Sequence, residues 1–205
     1  MIIYVVKILD REISSILNFI KLLCAPNSKT EVHLSIRGPY KSKLKPNKIA
    51  EYNELVKNSR VTITEVGNFF QENQNTVFLK CESETIEKIW KKTTYKKTIY
   101  GYNPHLTLYD GKDKDFAYML YETLHQRSID ISFLASELIF YDTSKNNLSL
   151  MLSYGIDTQI IEDVIKISWE NLNLLKMNNE DRLSLISKCF EYLLNFNLNP
   201  HYVAS

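Results

Sequence analysis

Two of the chain's four histidines sit in one local pattern. His33 opens "HLSI" within EVHLSIRGPY (31–40), and His105 opens "HLTL" within NPHLTLYDG (103–111). Each is followed by a leucine, a hydroxyl residue and another aliphatic residue. On a β-strand, side chains alternate between the two faces. His33, Ser35 and Arg37 are then expected on one face, with Val32, Leu34 and Ile36 on the other. The second stretch sorts the same way, setting His105, Thr107 and Tyr109 against Leu106 and Leu108. The aliphatic set belongs in a core and the polar set along a cleft. One such stretch alone would read as a half-exposed strand with a polar outer face. In a chain that is 44% hydrophobic with 29 Ser or Thr, chance places the pattern at two of four histidines roughly once in two hundred. His125 and His201 do not match it.

Two imidazoles with ordinary pKa values near 6.5 can hold opposite protonation states around neutral pH. One can then act as general base and the other as general acid. That division suits displacement at phosphorus, where the nucleophile loses a proton and the leaving oxygen gains one. The hydroxyls of Ser35 and Thr107 can donate to non-bridging phosphate oxygens. Arg37 either neutralises charge growing in the transition state or forms a structural salt bridge. Two histidines without a carboxylate or thiolate cluster make a poor transition-metal site, so the expected chemistry uses no metal and no cofactor. The five glycines, at 38, 67, 101, 111 and 155, are isolated, which argues against a phosphate-binding loop or a dinucleotide fold.

The elements that position these residues repeat. Residues 1–9 read as a strand. Asp10 suits a helix N-cap, and Ile13, Ile16, Leu17, Ile20 and Leu23 mark a helical face ahead of the His33 strand. "TVFLKC" (76–81) reads as a strand, Ser83 as an N-cap, and Ile86, Ile89 and Trp90 begin a helical face ahead of the His105 strand. This duplicated order of strand, helix and histidine-bearing strand predicts two lobes related by a pseudo-twofold axis. Between the copies, 49–59 reads as a helix and 60–66 as a strand. After them, Phe116, Met119, Leu120 and Leu124 outline a helix within 113–127. "IDISFLASELIFYD" (129–142) and "LSLMLSYG" (148–155) read as paired strands around the "TSKNN" turn. Residues 156–205 read as helical, with Leu183, Ile186, Phe190 and Leu193 on one stripe.

Composition sets bounds without naming a partner. The 205 residues carry a net charge of +1, which gives no global signal for long nucleic acid or a membrane. Residues 156–205 hold four Lys or Arg against seven Asp or Glu, which separates the tail from the body. Cys24, Cys81 and Cys189 are widely spaced and read as reduced, buried thiols. The apolar start is too short to span a bilayer and lacks the features of a signal peptide, so the expected location is cytoplasmic. Lys41, Lys43, Lys45 and Lys48 follow the first motif. Lys91, Lys92, Lys96 and Lys97, interleaved with Tyr95, Tyr100 and Tyr102, precede the second. These residues form either solvated surfaces or a rim that steers and stacks a short oligonucleotide. Tyr40 and Tyr109 are candidates for base stacking or phosphate binding, or else plain packing. The stripe of the last helix, with Cys189, reads as core or as a contact for a second copy or partner.

The paired motifs, each on a strand of a duplicated α+β unit, resemble the two-histidine (2H) phosphoesterase superfamily. That group includes cyclic nucleotide phosphodiesterases and the so-called 2′-5′ RNA ligases. The resemblance covers residues 1 to about 155. It implies a bilobal α+β fold of antiparallel sheets flanked by helices (1–155), with 156–205 a helical extension packed on the body. It also implies His33 and His105 as acid and base, and Ser35 and Thr107 as phosphate ligands, without metal. Arg37–Gly38–Pro39 resembles what some bacterial members carry after the first motif. The activity expected is hydrolysis of a 2′,3′-cyclic phosphate at an RNA end or on a nucleotide. Alternatives on the same site are 2′-5′ ligation and hydrolysis of a cyclic nucleotide or oligonucleotide signal. From another class, a non-catalytic module would bind an RNA end or nucleotide.

Overall fold

The computed structural model describes residues 1–91, 103–142 and 155–196. The first half contains β1 (Ile2–Val6), α1 (Arg11–Cys24), β2 (Leu34–Tyr40), α2 (Pro46–Val56) and β3 (Arg60–Phe70). Then come β4 (Asn75–Glu82), α3 (Glu84–Trp90), β5 (His105–Gly111) and α4 (Lys114–His125). The chain continues through β6 (Ile131–Leu134), β7 (Ile139–Asp142), α5 (Thr158–Ile165) and α6 (Asn179–Phe196). The fold is α+β, and its described strands form one antiparallel sheet in the order β6-β3-β4-β5-β2-β1-β7. Sequence order predicts two lobes, and the resemblance implies antiparallel sheets. Instead β2 and β5 are neighbours, joining the halves through the pair Leu34–Leu106.

Local chemistry accounts for the helices. Asp10 caps α1, its Oδ1 accepting from the Ile13 amide at 2.9 Å. Ile13, Ile16, Leu17, Ile20 and Leu23, spaced along one face, are all buried. Asp113 caps α4 in the same manner through the Phe116 amide. In α4, Phe116, Leu120 and Leu124 are buried, but Met119 is exposed and Ala117 completes the stripe. Helices α1 and α3 cross over the opposite halves, α1 packing on β5 and α3 on β2. The covered sheet face carries Leu34, Ile36, Val77, Leu79, Leu106 and Leu108, none of them solvent-exposed.

The stretch 129–142 is not one strand. Strand β6 pairs with β3 at one edge of the sheet, and β7 pairs with β1 at the other. Between them the backbone bonds elsewhere. Ala135 exchanges hydrogen bonds with Ser59 and Asn58, and the Leu138 amide donates to Asn53 Oδ1. The expected partner strand and its turn fall on 143–154, outside the described residues. Helix α6 packs on α1 and α4, burying Leu183, Ile186, Cys189, Phe190 and Leu193 in the same core. No helix of the described residues is long and apolar enough to cross a membrane.

One buried amide ties three segments together. Asn18, on α1 and wholly inaccessible, accepts from the Val32 amide at 2.7 Å and donates to the Gly155 carbonyl at 3.0 Å. It thereby anchors both the residue before His33 and the start of the tail. Asn18→Ala leaves the Val32 N–H buried without an acceptor. It should cost about 1–3 kcal/mol of unfolding free energy in urea titrations, and a loss within error of zero would show that the bond is dispensable.

Candidate active site

Antiparallel pairing of Leu34 with Leu106 fixes what stands opposite what. Extending that register by one residue each way sets His33 across from Thr107 and Ser35 across from His105. These four side chains share the sheet face opposite the leucines, as the alternation requires. His33, His105 and Thr107 are partly accessible and Ser35 is exposed.

Both histidines are oriented by the same device. His33 Nδ1 lies 2.8 Å from the Glu31 carbonyl, and His105 Nδ1 lies 2.8 Å from the Asn103 carbonyl. A carbonyl oxygen only accepts, so each neutral ring donates from Nδ1 and keeps Nε2 unprotonated. The pair is therefore in the tautomer that can take a proton at Nε2, or give one there once charged.

The surroundings of the two rings differ. Burial first, then the Lys21 charge, pushes His33 down to about 4; the Glu31 carbonyl opposes this and the charge of His105 adds to it. Lys7, which the extended β1–β2 register sets opposite His33, pairs with the buried Glu31 carboxylate at 2.9 Å. Burial raises that carboxyl's pKa, partly offset by Lys7 and Lys21. His105 instead packs on Phe78, with ring centroids 4.8 Å apart, and stands edge-on to Phe69 at 6.1 Å. Phe78 can lie across β3 because Gly67 is beneath it; a Cβ there would sit 2.4 Å from the ring. Lys80, directly opposite His105, pairs with Glu65 at 2.8 Å.

Arg37 and Tyr109 do not lie on the histidine face. Val5 pairs with Ser35 but Tyr4 pairs with Arg37, and Phe78 pairs with Thr107 but Val77 pairs with Tyr109. Each motif strand thus carries a β-bulge immediately after its hydroxyl residue, with two residues facing one on the neighbouring strand. The extra residue, Ile36 or Leu108, resets the alternation and turns the next side chain toward the core. Arg37 is 2% exposed and donates to the Ile89 carbonyl at 2.8 Å and to the Tyr52 hydroxyl at 3.3 Å. It braces β2 against α2 and α3 and does not reach Ser35's side. Tyr109 is buried edge-on to Phe116, its hydroxyl accepting from the Asp113 amide. The bulge brings Asp110 to the histidine face instead, where it accepts from Gln74 and Thr76.

Tyr40 is partly exposed, edge-on to Tyr4 at 6.3 Å, and burial raises its hydroxyl's pKa against the pull of Arg37. Tyr102, with Tyr95, Tyr100 and Lys92, Lys96 and Lys97, lies outside the described residues. Of the other lysines, Lys43 stands over the Phe140 ring at 3.8 Å, Lys48 pairs with Glu51, and Lys91 pairs with Glu87. The sequence reading missed Lys21, Lys7, Lys80 and the Phe69–Phe78 pair. Cross-strand register alone identifies the last three, and Lys21 continues a polar stripe of α1 that runs through Ser14 and Asn18. Among the described residues, no group of three or more His, Cys, Asp and Glu could hold a metal ion. Lys7 and Lys80 flank the two imidazoles and two hydroxyls, each paired with a carboxylate, and Lys21 lies buried behind the Glu31 carbonyl.

His33 stays neutral in the fold at acidities where the unfolded chain protonates its imidazole. The unfolded state therefore binds more protons between about pH 6.5 and 4. The contribution is intact above about 6.5 and is lost as pH falls toward 4. His33→Gln, which cannot titrate, should lose less unfolding free energy over this interval than wild type. Equal losses would show that His33 is not held neutral. Comparison with known proteins adds no name to the site: no family model and no curated protein matches the chain.

Proposed function

We propose that the chain is a phosphodiesterase of the two-histidine type that opens a 2′,3′-cyclic phosphate at an RNA end or on a nucleotide without a metal ion. The observation that carries this reading is the matched pair of Nδ1–carbonyl bonds, which leaves two Nε2 atoms on one face beside two hydroxyls. Acid–base catalysis depends on rings held this way, each exchanging its proton at Nε2. One imidazole takes a proton from water as the water oxygen bonds to phosphorus. The bond from phosphorus to one ribose oxygen breaks, and that oxygen takes the proton held on the other imidazole. Ser35 and Thr107 donate to the non-bridging oxygens, and nearby lysines offset charge in the transition state.

The proposal extends to the architecture. The units β1–α1–β2 and β4–α3–β5 are read as the two pseudo-twofold lobes of a 2H-like domain over 1–155, with 156–205 its helical extension. The test is a panel of 2′,3′-cyclic nucleotides, 2′-5′-linked dinucleotides and cyclic dinucleotides, assayed with EDTA present. Wild type should turn over the 2′,3′-cyclic nucleotides, and His33→Ala or His105→Ala should lower the rate by about 10²–10⁴. Turnover of another panel member alone would reassign the bond cleaved. Equal binding by wild type and a His33→Gln/His105→Gln variant, with no turnover, would favour the binding module.

A further inference from the structure

We infer that the duplicated site is polarised: Lys21 is a positioning residue that adds to burial in keeping His33 neutral, so His33 is the base and His105 the acid. This rests on the phosphodiesterase reading above, which leaves the two roles unassigned.

Lys21 lies in the last turn of α1 and is 8% exposed. Its Nζ donates to the Glu31 carbonyl at 3.3 Å and to Thr30 Oγ1 at 3.4 Å. The same carbonyl accepts the Nδ1–H of His33 at 2.8 Å. Two donors thus converge on one oxygen. A carbonyl already engaged by an ammonium is a weaker acceptor for an imidazolium N–H. The ammonium also repels a second positive charge held on the far side of that oxygen, and both effects favour the neutral ring. Among the described residues, the matching Asn103 carbonyl receives only the His105 ring. Among the described residues, the two orienting carbonyls therefore differ in whether an ammonium shares them.

The other groups around Lys21 allow it to hold its charge. Burial draws its pKa down to about 8, opposed by Asp110 on β5 and by the Glu31 carboxylate. Glu31 also pairs with Lys7, so two ammonium groups share the one carboxylate beside His33. The charges facing His33 are then Lys21, the Lys7–Glu31 pair and His105. In the reaction, His33 Nε2 takes the proton from the attacking water. The departing ribose oxygen keeps the electron pair of its bond to phosphorus and takes the proton from His105 Nε2. The product is a phosphomonoester, and exchange with solvent resets both rings.

Imidazole NMR titration of the full chain, with histidines isotopically labelled and assigned by single His→Gln variants, reads this directly. In wild type, His33 should still be neutral at about pH 5.5. Lys21→Met should raise the His33 midpoint by about one unit and leave the other rings unmoved, while Lys21→Arg should keep it low. In the hydrolysis assay, the acidic limb of kcat/KM should move up by the same amount in Lys21→Met. An unshifted His33 midpoint in Lys21→Met would overturn the inference. Should that variant fail to fold, a His33 ring already protonated at about pH 5.5 in wild type would overturn it equally. A protein without turnover on any phosphodiester leaves the NMR result standing, so the two failures remain distinguishable.

Discussion

The arrangement of the candidate site depends on the pairing of Leu34 with Leu106 at the centre of the sheet. Both leucines are wholly buried, and removing a leucine from water is worth about 1.5–3 kcal/mol. A one-residue slip of either strand would carry its leucine to the open face and its histidine into the core. Apolar burial therefore sets the register, and the polar residues inherit it. His33, Ser35, His105 and Thr107 meet because the residues between them cannot leave the interior.

Each motif strand then breaks its own alternation at the same point. The bulges at Ile36 and Leu108 leave the histidine and hydroxyl on the open face and send the next residue to the other. The interior residue is chosen for a different task in each half. Arg37 ties β2 to α2 and α3, and Tyr109 closes the turn into α4 through Asp113. Beyond Arg37 the chain needs Gly38, whose φ of +118° and whose approach to the Ile2 backbone exclude a side chain; a Cβ would stand 2.7 Å from that carbonyl. Bulges that recur at equivalent places re-aim side chains, and these keep Arg37 and Tyr109 off the face that carries both histidines.

Period-two alternation made the histidine and hydroxyl faces legible in the sequence, and period 3.6 made α1, α4 and α6 so. These signals reflect which side chains must leave water, and burial dominates both. Bulges have no comparable signature. One inserted backbone residue changes the parity of every later side chain without changing its type, so Arg37 and Tyr109 were expected beside the histidines. The adjacency of β2 and β5 was equally invisible, because a long-range strand pair is fixed by packing rather than by local pattern. For the same reason 129–142 looked continuous, although Asn53, Asn58 and Ser59 capture its middle. Lys21 escaped notice because a lysine on a helix ordinarily reaches solvent. What buries it is the docking of α1 over β5.

On the proposed phosphodiesterase reading, that docking also accounts for how a duplicated framework would divide its labour. Two imidazoles in equivalent settings would share one proton equally and titrate as a coupled pair. Either ring would then be in the wrong form half the time for a reaction that needs one base and one acid. The helices supply the difference. α1 has 14 residues and α3 has seven, about 21 Å against 10 Å of axis. The extra length of α1 carries its last turn, and Lys21 with it, to the carbonyl that orients His33. α3 ends at Trp90. In the proposed mechanism, asymmetry between the two histidines needs no change in either motif; it follows from the unequal helices packed behind them.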